Sequence, residues 1–161
     1  MHKSFQHLLF LGLALAPLPA LAQSAPPPAP PTDAKLYFIS PNNNERIHGP
    51  IIVRFGLRNM GVTHAGDNTP NTGHHHLLID VNEALAAKEP IPSDKTHLHF
   101  GAGQTETKVD LAPGKHQLQL VLGDGDHKPI LYSDKIQVTV LGAEKAKPKA
   151  KKKKHRRRYY Y

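Results

Sequence analysis

The chain has 161 residues, no Cys, no Trp and a formal charge of +8. The missing Cys excludes thiolate nucleophiles, disulfide staples, Cys-bound zinc and iron–sulfur clusters together, and the length fits one small domain with appendages. The charge is localised: residues 142–161 hold ten Lys and Arg against Glu144, a balance of +9, while residues 33–141 hold ten basic and twelve acidic residues, a balance of −2. The basic character therefore belongs to a tail and not to the folded surface.

In chain order, residues 1–22 read as a secretory signal. His2 and Lys3 precede an apolar run from Leu8 to Leu18, and Ala20-Leu21-Ala22 is a small-x-small cleavage site. Cleavage after Ala22 predicts a periplasmic or secreted protein. The apolar run is too short to span a bilayer, and no later segment is apolar enough, so no transmembrane span is expected in the mature chain. Residues 23–33, with Pro26, Pro27, Pro28, Pro30 and Pro31, read as a stiff polyproline II linker.

Residues 34–141 carry period-2 alternation broken by Gly, Pro, Asn and Asp. Seven strands are predicted, over 35–39, 51–57, 74–81, 96–100, 105–111, 115–122 and 134–140. That count in about a hundred residues predicts an all-β fold, an immunoglobulin-like antiparallel β-sandwich of about seven strands, with a small β-barrel as the alternative. Asn82 followed by Glu83 to Lys88 predicts at most two helical turns before Pro90. His116, at the head of a strand bearing Leu118, Leu120 and Leu122, reads as a buried, hydrogen-bonded corner residue of the kind sandwich domains often fill with Tyr. Residues 142–161 offer almost nothing apolar to bury and read as a disordered tail. Its charge suits anionic envelope polymers, with Tyr159 to Tyr161 able to add interfacial contacts, and an exported protein rarely meets nucleic acid.

The histidines are the unusual resource. There are 12, seven of them between positions 74 and 127. Alternation places His75, Leu77, Ile79 and Val81 on a core face, with His74, His76 and Asp80 pointing outward. In the next strand Leu98 and Phe100 take the core, and His97 and His99 face outward together. If the two strands are neighbours, four imidazoles share one face about 5 Å apart. Neutral imidazole suits zinc, copper or nickel, and with Met60 the only Met beyond the signal segment the set favours Cu(II) or Zn(II) over Cu(I). The expected metal set is His74, His76, His97 and His99, to which the turn Gly123-Asp124-Gly125-Asp126-His127 could add His127. Asp124 and Asp126 read as hairpin chemistry. The competing readings are imidazoles used as plain hydrogen-bonding groups for the loop 82–95, or as a pH sensor.

Catalysis finds little support. Ser40, Ser93 and Ser133 lack a nucleophile-elbow context, and no Gly-rich loop joins a strand to a helix. A His-bound metal with Glu106 or Asp80 as base is conceivable, though no spacing demands it.

The segments Gly61-Val62, Pro70 to Asp80, Pro90-Ile91-Pro92, His97 to Gly101, Gln104 to Thr107 and Pro113 to Leu120 with Leu122-Gly123-Asp124 together resemble the bacterial domain of unknown function 4399. The resemblance covers nearly all of 36–140. It implies an exported single-domain protein with a β-sandwich-like core, and supplies no activity. The expectation from sequence is thus a non-enzymatic, exported module that binds Cu(II) or Zn(II) through clustered His; the alternative is a metal-free structural or envelope-adhesion module with a polycationic tail.

Overall fold

A computed structural model describes residues 29–142. The signal segment, the linker up to residue 28 and the tail from residue 143 lie outside the described residues. Within them the chain forms ten strands and no helix: β1 (Lys35–Ser40), β2 (Glu45–His48), β3 (Ile51–Arg58), β4 (Gly61–Val62), β5 (Thr72–Ile79), β6 (His97–Phe100), β7 (Glu106–Val109), β8 (Gly114–Gly123), β9 (Pro129–Tyr132) and β10 (Ile136–Leu141). One sheet has three strands in the order β1-β3-β7. The other has seven, in the order β2-β10-β8-β5-β4, with β6 paired to β5 and β9 to β8. The protein is therefore an all-β sandwich.

Alternation explains the core between the sheets. Ile51, Val53 and Phe55 from β3 meet Leu77 and Ile79 from β5, Leu118, Leu120 and Leu122 from β8, and Val138 and Val140 from β10. Each side chain of this size contributes roughly 1.5–3 kcal/mol when fully buried. The long β8 organises the larger sheet. Its first half pairs with β10, its second half with β5, and its last residues also with β9.

The seven predicted strands correspond to β1, β3, β5, β6, β7, β8 and β10, with small shifts at their ends. Three more were not expected: β2 and β4 are short edge strands, and β9 begins at Pro129, all with weak period-2 signals. β2–β10 and β4–β5 are parallel pairs, so the sandwich is not wholly antiparallel.

Residues 83–88 form no helix. Six residues followed by Pro90 and Pro92 fall short of a stable nucleus, and Leu85 and Ile91 instead pack onto the sheet. The reading of Val81 also changes. β5 ends at Ile79, Asp80 takes a left-handed conformation (φ 58°), and Val81 joins Leu78, Ile91 and Val121 in a second small core on the outer face of the larger sheet. That sheet is thus covered on both faces. His74 and His76 leave the main core on the outward face as expected, and the second layer buries them fully (0 % exposed).

Candidate metal centre

The buried outer face owes its imidazoles to strand register. β5 and β6 are antiparallel neighbours, with His76 opposite His99 and Leu78 opposite His97. On the other side of β5, His74 faces Gly123 and His76 faces Val121. The strand adjacency needed to bring His74, His76 and His99 together is therefore present.

His127 completes the group from the turn after β8. The Asp124 backbone N–H donates to Lys128 O (2.9 Å) and the His127 N–H to Asp124 O (2.9 Å). The Asp124 carboxylate accepts the N–H groups of Asp126 (2.9 Å) and Lys128 (2.8 Å), the hairpin role its sequence suggests. His127 takes φ 66°, and its carbonyl accepts the Ile91 N–H at 2.9 Å, which ties the loop over the second core to the turn.

Four rings meet here. The centroids lie 4.9 Å apart for His74–His76, 5.1 Å for His74–His99, 4.9 Å for His74–His127, 5.0 Å for His76–His99, 4.9 Å for His99–His127 and 6.1 Å for His76–His127. One ring nitrogen each of His74, His99 and His127 falls within 4.8 Å of the others, so this triad could hold a metal ion. His76 Nε2 stands 3.1 Å from His74 Nε2, where one ring donates and the other accepts. The outer nitrogens, His74 Nδ1 and His76 Nδ1, are buried without a partner. Such orphans are uncommon in folded proteins, and two in touching rings mark unmet donor or acceptor capacity.

Electrostatics favour the neutral form of His74, His76 and His99. Burial, then the neighbouring His127 and His99, lower the pKa of His74 to about 4, with Asp124 opposing. Burial and the other imidazoles lower His76 to about 3, and burial with His127 lowers His99. A neutral imidazole presents a free lone pair, the form that ligates a metal.

His97 lies apart from this group. Its Nδ1 donates to Asp94 Oδ1 (2.9 Å) beside the Thr96 hydroxyl, and with Asp80 and Ile91 it lines a separate cavity of about 380 Å³. The hydrogen bonds from His97 and Thr96 hold the Asp94 carboxyl well below its ordinary range. The shared strand face that suggested His97 is real, but the Asp94 carboxylate draws its ring away. His75 lies in the main core as expected, its ring 5.0 Å from Phe55, with Nδ1 3.2 Å from Gln104 O. Of the two carboxylates considered as bases, Asp80 binds His116 and the Gln117 N–H, and Glu106 pairs with Arg54 on the surface.

Two functional positions escape sequence reasoning. At Gly101 a Cβ would overlap the His99 ring, and at Gly123 it would stand 3.0 Å from His76 Nε2. These glycines clear space for imidazoles. Their signal in the sequence, a Gly just after β6 and a Gly ending β8, is indistinguishable from ordinary turn chemistry.

A β-sandwich with a partly buried imidazole cluster at one end of its larger sheet is the class that fold and site define. The chain belongs to the family described as domain of unknown function (DUF4399), whose model matches residues 53–141. That span runs from within β3 to the end of β10 and includes every residue of the cluster. Neither the curated proteins nor the solved structures show a match.

Proposed function

We propose that the protein is an exported module that binds a divalent transition metal, Cu(II) or Zn(II), at His74, His99 and His127. The observation that carries this reading is the convergence of three imidazole nitrogens within 4.8 Å from three separate segments of the chain. The chemistry agrees: no carboxylate belongs to the set, which disfavours Ca(II) and Mg(II), and neutral nitrogen donors favour the later first-row ions. The reading is non-enzymatic, because neither Asp80 nor Glu106 is free to serve as a base beside the cluster.

The test is equilibrium uptake of Zn(II), Cu(II) and Ni(II) by the untagged chain from Gln23 to Tyr161. One equivalent bound tightly, lost in a His99→Ala, His127→Ala double variant and kept in His97→Ala, supports the reading. Weak uptake unchanged by the double variant refutes it. Export rests on residues 1–22 and is checked by fractionating cells that express the full chain.

The tail is a separate element of the proposal. Its balance of +9 supports retention on anionic envelope polymers. Deleting residues 143–161 should abolish salt-sensitive retention on such polymers without altering metal uptake, and unchanged retention removes the claim.

A further inference from the structure

The triad accounts for three nitrogens and leaves open whether the site keeps a position for water or substrate. The fourth ring decides this, because a catalytic site keeps an open position and a holding site does not. An imidazole ligated at about 2.0–2.1 Å places its centroid about 3.2 Å from the ion, and four such centroids in tetrahedral directions stand about 5 Å apart. Five of the six centroid separations among His74, His76, His99 and His127 are between 4.9 and 5.1 Å, and the sixth is 6.1 Å. The centroids thus form a tetrahedron stretched along His76–His127; His76 lies outside the set of nitrogens that fall within 4.8 Å of one another, so its ligation requires its ring to close on His127. Tetrahedral donors at the same radius stand about 3.4 Å apart, close to the 3.1 Å between His74 Nε2 and His76 Nε2.

We propose that His76 is the fourth ligand and closes an all-imidazole, four-nitrogen sphere, so that the ion is a cargo or a structural ion and not a catalytic centre. The proposal rests on the metal-binding reading above and deepens it. Three features favour closure. His76 is fully buried, so water has no ready route to replace it. Gly123 leaves the space its ring needs, since a Cβ there would stand 3.0 Å from Nε2 and 3.3 Å from Cδ2. The 3.1 Å contact also brings His74 Nε2 and His76 Nε2 to about the separation of two donors on one ion; ligation by both requires the ring that carries its proton on Nε2 to carry it on Nδ1 instead. His99, the most exposed of the four, gives the ion its way in.

The test uses Co(II) as a spectroscopic substitute for Zn(II) in the untagged chain from Gln23 to Tyr161. Closed coordination predicts the intense visible bands of tetrahedral Co(II), unmoved by excess azide. In His76→Ala, azide should shift the spectrum because a position has opened, and Zn(II) affinity measured by chelator competition should fall by about 10–100-fold. A second variant, His76→Phe, fills the space without ligating and should also lose affinity, which separates ligand loss from cavity formation. An azide response in the wild-type spectrum, or unaltered affinity and spectrum in both variants, overturns the proposal while the triad stands. Absence of Co(II) and Zn(II) uptake by the wild type overturns both readings.

Discussion

Among individual residues, the histidines divide by what lies next to them and not by count. His97 and His99 occupy alternate positions of one four-residue strand, yet Asp94 captures the first and the imidazole group receives the second. Gly101 makes the second placement possible, because a Cβ there would overlap the His99 ring and also come within 2.9 Å of Ala65 Cβ. We therefore expect Gly101→Ala to keep the fold but to lower Zn(II) affinity by roughly tenfold or more, comparable to loss of an outer-shell support. Chelator competition beside a thermal melt checks this, and unchanged affinity would show that His99 contributes no ligand bond. The His pairs and their strand faces were legible in the sequence because alternation fixes which side chains share a face. The capture of His97 was not, since it depends on a carboxylate three residues away finding the right loop geometry.

Between elements, one interaction joins the end of β5 to the start of β8. His116 Nδ1 lies 2.7 Å from Asp80 Oδ2 and its Nε2 lies 2.8 Å from Ala112 O, while Asp80 Oδ1 accepts the Gln117 N–H at 2.8 Å. Both ring nitrogens face acceptors, so the arrangement is satisfied by the doubly protonated imidazolium. Burial alone would lower the His116 pKa, but the bonds to Asp80 and Ala112 prevail and raise it. A raised folded-state value means that the contribution is complete below the unfolded value near 6.5 and is lost as pH rises through the folded value. The destabilisation caused by His116→Gln should accordingly be about 1.5–3 kcal/mol at pH 5.5 and smaller at pH 9, as read by urea denaturation of both proteins at each pH. A pH-independent difference would mean that the ring is neutral in the fold. The corner role was readable from the turn-then-strand pattern, whereas the partner Asp80 was not. Its left-handed backbone ends β5 and turns the carboxylate toward β8. The missing helix over 83–88 has a similar origin: the apolar residues of that loop find a sheet face to cover. The uninterrupted run Leu77-Leu78-Ile79 is the trace of that second covered face in the sequence, since a strand with one solvated face would alternate.

For the whole molecule, the buried imidazoles make metal-free protein sensitive to acid. His74 and His75 are lowered to about 4 and His76 to about 3, in each case chiefly by burial. Above the ordinary value near 6.5 neither state is protonated and nothing is gained or lost. As pH falls below it the unfolded chain takes up protons that the fold refuses, so stability declines between about pH 6.5 and these lowered values. His99 is lowered as well, so this trend opposes that of His116 and outnumbers it four to one. Chelator-treated protein should melt roughly 10 °C lower at pH 5 than at pH 7.5, and Zn(II) should raise the melting temperature at pH 7.5 far more than at pH 5, where protons compete for the same nitrogens. An acid-insensitive melting temperature would show that the rings are hydrated and not enclosed.

The central claim is that one end of the larger sheet is a nitrogen-donor metal site, and a crystal structure of the Zn(II)-loaded protein, with the ion located by anomalous scattering at the zinc edge, tests it most directly. The account predicts one strong peak about 2.0–2.1 Å from a ring nitrogen of each of His74, His99 and His127. A peak beside His97 and Asp94, or none within reach of the triad at one equivalent of zinc, would contradict it.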